Sequence, residues 1–388
     1  MQTQALYDLA PWARLLAGAA FLCAVLLGVW WLRHGKANAV RRRRALLLMT
    51  IFLTFDLVLV GAFTRLSDSG LGCPDWPGCY GSATPLGAQQ PIAQAQAAMP
   101  SGPVTHQKAW IEMLHRYLAM TVGALIVLQT AWAWRDRWAR NRLPAIFALP
   151  SPWWSTAALL WVCLQGAFGA LTVTMKLFPA IVSAHLLGAY ALLVLLVLQL
   201  GGYRRPHSAA TPLPRPQRWL LGLGLLVVTL QATLGAWVST NYAVLACSTF
   251  PQCQDSWWPL MDFSNGFSVW RPLGMTPTGD VLSFQALTAI HMVHRIFAGA
   301  VVLVLGAIVW QLRAITGIRR SWRWLLALLG LQLLTGLSNV VLDWPLPSAM
   351  LHTGGAGGLI VVLTWLLIST DKQTQQRMHV PISQRGLR

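Results

Sequence analysis

Nine apolar runs, each near the roughly 20 residues that carry a helix across a hydrocarbon core, alternate with polar segments along the chain. They lie near Trp12 to Leu32, Ala45 to Gly61, Ile111 to Trp134, Trp153 to Val173, Ala180 to Leu200, Trp219 to Val238, Leu287 to Leu312, Trp324 to Leu342 and Ala349 to Ser369. The runs are continuous rather than alternating, and backbone groups in hydrocarbon must be satisfied within their own segment. The pattern therefore predicts nine transmembrane helices.

The polar segments carry the topology. Basic residues cluster at Arg33, Lys36 and Arg41 to Arg44, at Arg135, Arg137, Arg140 and Arg142, and at Arg204, Arg205, Arg215 and Arg218; two more groups are Arg313, Arg319, Arg320 and Arg323, and Lys372, Arg377, Arg385 and Arg388. With nine helices all five groups fall on one side, the cytoplasm by the positive-inside rule, so the N-terminus lies outside and the C-terminus inside. Trp30, Trp31, Trp132, Trp134, Trp153, Trp154, Trp219, Trp322 and Trp324 stand at run ends, as an interfacial belt requires. Ala37-Asn38-Ala39 looks like a signal cleavage site, but it lies among basic residues, so the first run reads as a retained helix.

Composition sharpens this reading. The 388 residues are 55% hydrophobic and only 10% charged, where a soluble chain carries about a quarter charged. The formal charge of +18 raises nucleic acid as a partner, but the basic residues sit between apolar runs rather than on one polar face, which excludes that class. The lipid bilayer is the partner that this composition demands.

Two outer loops are long. Leu66 to Trp110 contains an Ala/Gln/Pro-rich stretch, Ser82 to Pro103, expected to be irregular and to be followed by His106 and Lys108 still in the loop; Asn241 to Gln285 is rich in Trp, Pro and Gly. The outer connections around Lys176 to Pro179 and Asp343 to Pro347 read as tight turns.

An internal repeat organises the chain. Gly61 and Gly235 each precede a Cys by twelve residues, and a second Cys follows after five more. MLHRYLA at Met113 matches MVHRIFA at Met292. Gly169 and Gly336 each precede a histidine, His185 and His352, by sixteen residues. Helices two to five and six to nine are thus two copies of a four-helix unit in the same orientation. The expected fold is all-α and polytopic: one N-terminal helix plus two pseudo-symmetric four-helix bundles. The expected divisions are 1–44 for the extra helix and its basic loop, 45–203 for the first bundle, 204–218 for an inner linker, 219–370 for the second bundle and 371–388 for a cytoplasmic tail.

The repeat carries the chemistry. His115 and His185 in the first copy, and His294 and His352 in the second, lie on the second and fourth helices of their units near the outer end. Two facing imidazoles per copy suit the axial positions of a flat macrocycle, whereas zinc takes three or four protein ligands. Bis-histidine haem, one site per half, is the expected ligand. Arg116 and Arg295 follow directly; an arginine there needs a partner, and no acidic residue recurs in both halves. Haem propionates, through fork hydrogen bonds, or snorkelling to the interface would satisfy it. The copies differ three residues before the repeat histidine, where the first has Glu112 and the second His291. Glu112 is the only Glu in the chain. It reads either as a residue stabilised by the helix N-terminus or as a general base beside a bound macrocycle, and the asymmetry suggests one haem that reacts and one that transfers electrons. Cys73 with Cys79 and Cys247 with Cys253 lie in the outer loops, close enough in sequence to be bridged as structural staples or to serve in redox chemistry. Cys23 and Cys163 read as apolar helix residues. Asp56, His34, His106, Lys108, His207 and His379 have no repeat counterpart and read as structural or solvated.

SGLGCPDWPGC at Ser69, EMLHR at Glu112, QGAFGALTV at Gln165, HLLGAY at His185 and HMVHR at His291 together resemble the haem A synthase family of bacterial and mitochondrial inner membranes. The resemblance covers roughly Leu46 to Ile368 and implies a substrate haem site in the first half and a haem b site in the second. It implies that His115 and His185 flank haem o, that His294 and His352 ligate haem b iron, and that Glu112 is catalytic. It also makes Cys73 with Cys79 the family's outer-loop cysteine pair. The implied reaction is oxidation of the C8 methyl of haem o, through a hydroxymethyl stage, to the formyl of haem a for cytochrome oxidase. The extra N-terminal helix departs from the simplest members. The electron acceptor is not named by the sequence; contact with haem o synthase and homo-oligomerisation are compatible with it. Two other classes use the same histidines: a quinone-linked two-haem electron-transfer cytochrome, and a haem transporter. Neither needs a carboxylate in one half only.

Overall fold

The computed structural model describes residues 10–139, 150–203 and 212–370. Arg140, Arg142, Arg204, Arg205, His207, His379 and the basic tail lie outside them. The helices are α1 (Ala10–His34), α2 (Ala39–Leu66), α3 (Gln89–Ala98), α4 (His106–Trp138), α5 (Pro152–Thr174), α6 (Pro179–Gly201), α7 (Arg215–Thr240), α8 (Phe263–Gly266), α9 (Phe284–Leu312), α10 (Arg319–Val341) and α11 (Leu346–Ser369). Among the described residues nine of these are long and apolar enough to cross a membrane, and there is no strand beyond isolated bridges.

The helices outrun the apolar runs at their ends, where capping groups let polar residues join the first turn. Asn38 accepts from Arg41 N at 2.9 Å, which starts α2 ahead of its arginines. Thr105 accepts from Lys108 N at 3.2 Å and draws His106 and Lys108 into α4, a correction to their expected place in the loop. Pro152 and Pro179 open α5 and α6, where a missing N–H costs nothing. The Ser82 to Pro103 stretch is also not irregular. It holds a 3-10 turn at Pro85–Ala88 and then α3, whose Ala and Gln are strong helix formers.

Contacts close two rings: α2, α4, α5, α6 back to α2, and α7, α9, α10, α11 back to α7. The rings meet through α6 on α7, α11 on α2 and α11 on α6. Small residues permit that closeness. Gly354 and Gly357 of α11 lie against Leu59 and Phe55 of α2 and the Tyr190 ring of α6, and the Tyr190 hydroxyl donates to Thr353 O at 2.8 Å. Backbone detail repeats too. Positive φ occurs at Asp68 and Tyr242, at Tyr80 and Gln254, at Lys176 and Asp343, and at Leu177 and Trp344, the last two pairs forming the tight turns from α5 to α6 and from α10 to α11.

The extra helix α1 packs on α4 and α2. Trp30 stacks on Trp132 with centroids 5.8 Å apart, and Arg43 pairs with Asp136 at 3.1 Å over the Trp132 ring. Part of the first basic cluster thus fastens α1 and α2 to α4.

Candidate functional site

Each repeat histidine sits on a glycine. A Cβ on Gly61 of α2 would stand 2.9 Å from Cε1 of His115; one on Gly235 of α7 would stand 3.0 Å from that of His294. Gly336 of α10 and Gly169 of α5 seat His352 and His185, with corresponding distances of 3.2 and 3.5 Å. The glycines that marked the repeat in sequence are therefore the surfaces on which the rings lie, four times over. The second pair also faces itself, the rings of His294 and His352 having centroids 6.4 Å apart and planes at 75°; in the first half His115 and His185 are near neighbours.

Each histidine keeps part of its surface accessible, while Nδ1 of His115 and of His185 is buried without a partner. A separation of 6.4 Å leaves room for one metal atom between two rings, given metal–imidazole bonds of about 2 Å. Among the described residues no three His, Cys, Asp or Glu side chains converge as a metal cluster, so a group needing only two protein ligands is what these pairs could hold.

Glu112 is 4% exposed in the first turns of α4. Its Oε2 accepts from Cys73 N at 2.8 Å and its Oε1 from Arg116 Nη2. Gly72 makes the first contact feasible, because a Cβ there would come within 2.5 Å of the Lys108 backbone. The GLGC string lets the loop lie directly on α4. Cys73 and Cys79 form a disulfide, as do Cys247 and Cys253.

The arginines have partners that sequence reasoning missed. Arg116 Nη1 donates to the carbonyls of Asp75 at 2.9 Å, Pro77 at 3.1 Å and Gly78 at 2.5 Å, inside the first disulfide loop. Arg295 donates to Thr249 O at 2.8 Å, Gln252 O at 3.2 Å and Cys247 O at 2.7 Å, within and at the edge of the second. Thr249 and Gln252 are the repeat counterparts of Asp75 and Gly78. Each arginine pins its own half's disulfide loop to its histidine helix, and the partners that recur in both halves are backbone carbonyls rather than an acid. Where Arg116 meets Glu112, Arg295 Nε meets His291 Nε2 at 3.2 Å. A signal was present in the sequence: each arginine shares its copy with a loop of fixed Cys spacing.

A buried arginine peculiar to the second half also escaped notice. Arg271, fully buried in the long loop, donates to Asn241 Oδ1 at 2.7 Å and packs on Trp237, and burial holds its guanidinium below its ordinary pKa. Asp56, in α2, has no hydrogen bond or ion pair among the described residues. His34 lies 3.1 Å from Trp30 O through Nδ1, within its own helix.

Over residues 44–364 the chain matches the family described as cytochrome oxidase assembly protein (COX15-CtaA). The chain belongs to this family. The resemblance drawn from the GLGCPDWP and E-x-x-H-R strings is borne out. Relatives similar to this chain carry the name heme A synthase. That of Shewanella oneidensis is 36% identical over 321 residues, 82% of this chain and 93% of its own. Those of Allorhizobium ampelinum and Symbiobacterium thermophilum are 29% and 27% identical, covering 83% and 85% of this chain and 89% and 97% of theirs.

Proposed function

We infer that this chain is an oxidoreductase of the haem A synthase type, converting the C8 methyl of haem o to the formyl of haem a for cytochrome oxidase. The family match and the names of the relatives support that activity. Our assignment of parts goes further. Residues 45–203 form the substrate half, with His115 and His185 flanking haem o, and residues 219–370 form the haem b half, with His294 and His352 as iron ligands. The chain lies in a bacterial cytoplasmic (inner) membrane with its N-terminus outside.

One observation carries the division of labour: at equivalent positions beside the same Arg, one half has a buried carboxylate and the other an imidazole. Oxidising a methyl to a formyl group releases protons beside the macrocycle edge, and a carboxylate there accepts them. Cys73 N–H and Arg116 hold Glu112 in place before substrate arrives, a preorganised base one helical turn from His115. Haem b bound in the second half would supply one-electron transfer toward an acceptor. Propionate contacts by Arg116 and Arg295 use only the N–H groups left after the loop carbonyls are served. The two disulfides act first as staples that keep those carbonyls in place.

Glu112→Gln tests the assignment. Bound haem is retained and haem a formation is abolished, read by pigment extraction and mass analysis from cells carrying the variant. Normal haem a levels would overturn the catalytic role of Glu112.

A further inference from the structure

The two imidazole pairs share their glycine seats but not their neighbours. In the second half the Thr335 hydroxyl, on α10 and buried, lies 3.0 Å from Nδ1 of His352. The same hydroxyl donates to Leu331 O, one turn back, at 2.7 Å. A hydroxyl has one proton and two lone pairs. With its proton given to Leu331, Thr335 meets His352 as an acceptor, so Nδ1 carries the ring hydrogen and Nε2 keeps the free lone pair. Two more contacts steady this arrangement: Ser348 donates to Thr335 O at 3.1 Å, and Gln332 Nε2 to His352 O at 2.9 Å. Across the site, the Gln231 amide nitrogen lies 3.1 Å from Nδ1 and 3.3 Å from Nε2 of His294 and donates to His294 O at 3.1 Å. It locates that ring without choosing between its nitrogens.

The repeat offsets place Phe168 where the second half has Thr335, and Leu57 where it has Gln231. Neither side chain can bond an imidazole, and the Nδ1 atoms of His115 and His185 have no partner. A second partner on the far nitrogen of a ligating histidine fixes its tautomer and raises its basicity, and losing one typically costs about 10–100-fold in metal affinity.

We propose that Thr335 is a positioning residue that fixes His352 as its Nδ1–H tautomer, making the second half the holder of a resident haem. The first half lacks this device and releases its haem as a substrate site must. This rests on the assignment of His294 and His352 as haem b ligands.

The test uses the purified full-length protein as wild type, Thr335→Val, Thr335→Ala and Thr335→Ser. Haem b content is read by pyridine haemochrome, retention by transfer to apomyoglobin, and midpoint potential by redox titration of the low-spin band. Thr335→Val keeps the shape but loses the hydroxyl. It should weaken haem retention by about 10–100-fold and raise the midpoint potential, because a less basic imidazole favours ferric iron less. Thr335→Ala is read in the same way should the valine variant not fold, and Thr335→Ser should restore both properties. Retention and potential equal to wild type in the folded Val or Ala variant would overturn the proposal. A wild-type low-spin spectrum that survives His352→Ala would instead overturn the ligand assignment on which it rests.

Discussion

In the first half a buried carboxylate stands one turn from His115, and both imidazoles have an orphaned Nδ1. In the second half an imidazole replaces the carboxylate, and a hydroxyl and an amide attend the two rings. Much of the frame around these positions is held in common: the glycine seats, the arginine anchors, the disulfide bridges and most of the left-handed turns. A duplicated scaffold has thus been divided by a few side chains next to the rings, while the scaffold that aims the rings has stayed the same. Sites that bind alike differ through what touches the ligating groups.

The largest effect expected from breaking this comparison comes from the histidines. His294→Ala or His352→Ala should abolish the low-spin haem b spectrum of the purified protein, while His115→Ala leaves it in place. A spectrum unchanged by both second-half substitutions would mean that the resident site is elsewhere. Next come the arginines. Arg116→Gln strands the buried Glu112 carboxylate and should destabilise by about 3–5 kcal/mol. Arg295→Gln strands only neutral groups, at about 1–3 kcal/mol. Thermal denaturation in detergent should therefore separate the variants, and equal shifts would show that Glu112 does not depend on Arg116 for its charge.

The glycine seats offer the smallest and most graded effects. Gly61→Ala and Gly235→Ala press a methyl to within about 3 Å of an imidazole and should cost about 1–3 kcal/mol. At Gly169 the same methyl makes an ordinary contact at 3.5 Å, so Gly169→Ala should be nearly silent. For Gly235→Ala a shift of the haem band is the sharper readout, because the ring itself must move.

Much of this was legible in the chain. Hydrophobic runs fix the helices because a bilayer leaves the backbone no other way to satisfy its hydrogen bonds, and duplication made four histidines conspicuous among nine. Gly61, Gly169, Gly235 and Gly336 were visible only as markers, since spacing reveals that a residue recurs but not what rests on it. The arginine anchors escaped because their acceptors are backbone carbonyls, which every residue possesses and no motif announces. Thr335 escaped for the opposite reason: it occurs in one copy only, so a search for what repeats passes over it. Helix α3 was lost to its surroundings, an Ala/Gln stretch between prolines whose helix propensity is local and carries no membrane signal.

The packing of α1 also bears on traffic. Of the four seams around the first ring, α1 covers the outside of α2 against α4, and the second half covers α2 against α6 through α11. The seams on either side of α5 are covered by no other described helix. On the proposed assignment of His115 and His185, they are where a flat, apolar substrate moving in the plane of the bilayer would meet the first ring. The added helix thus leaves α5 as the one helix of that ring with both its seams open.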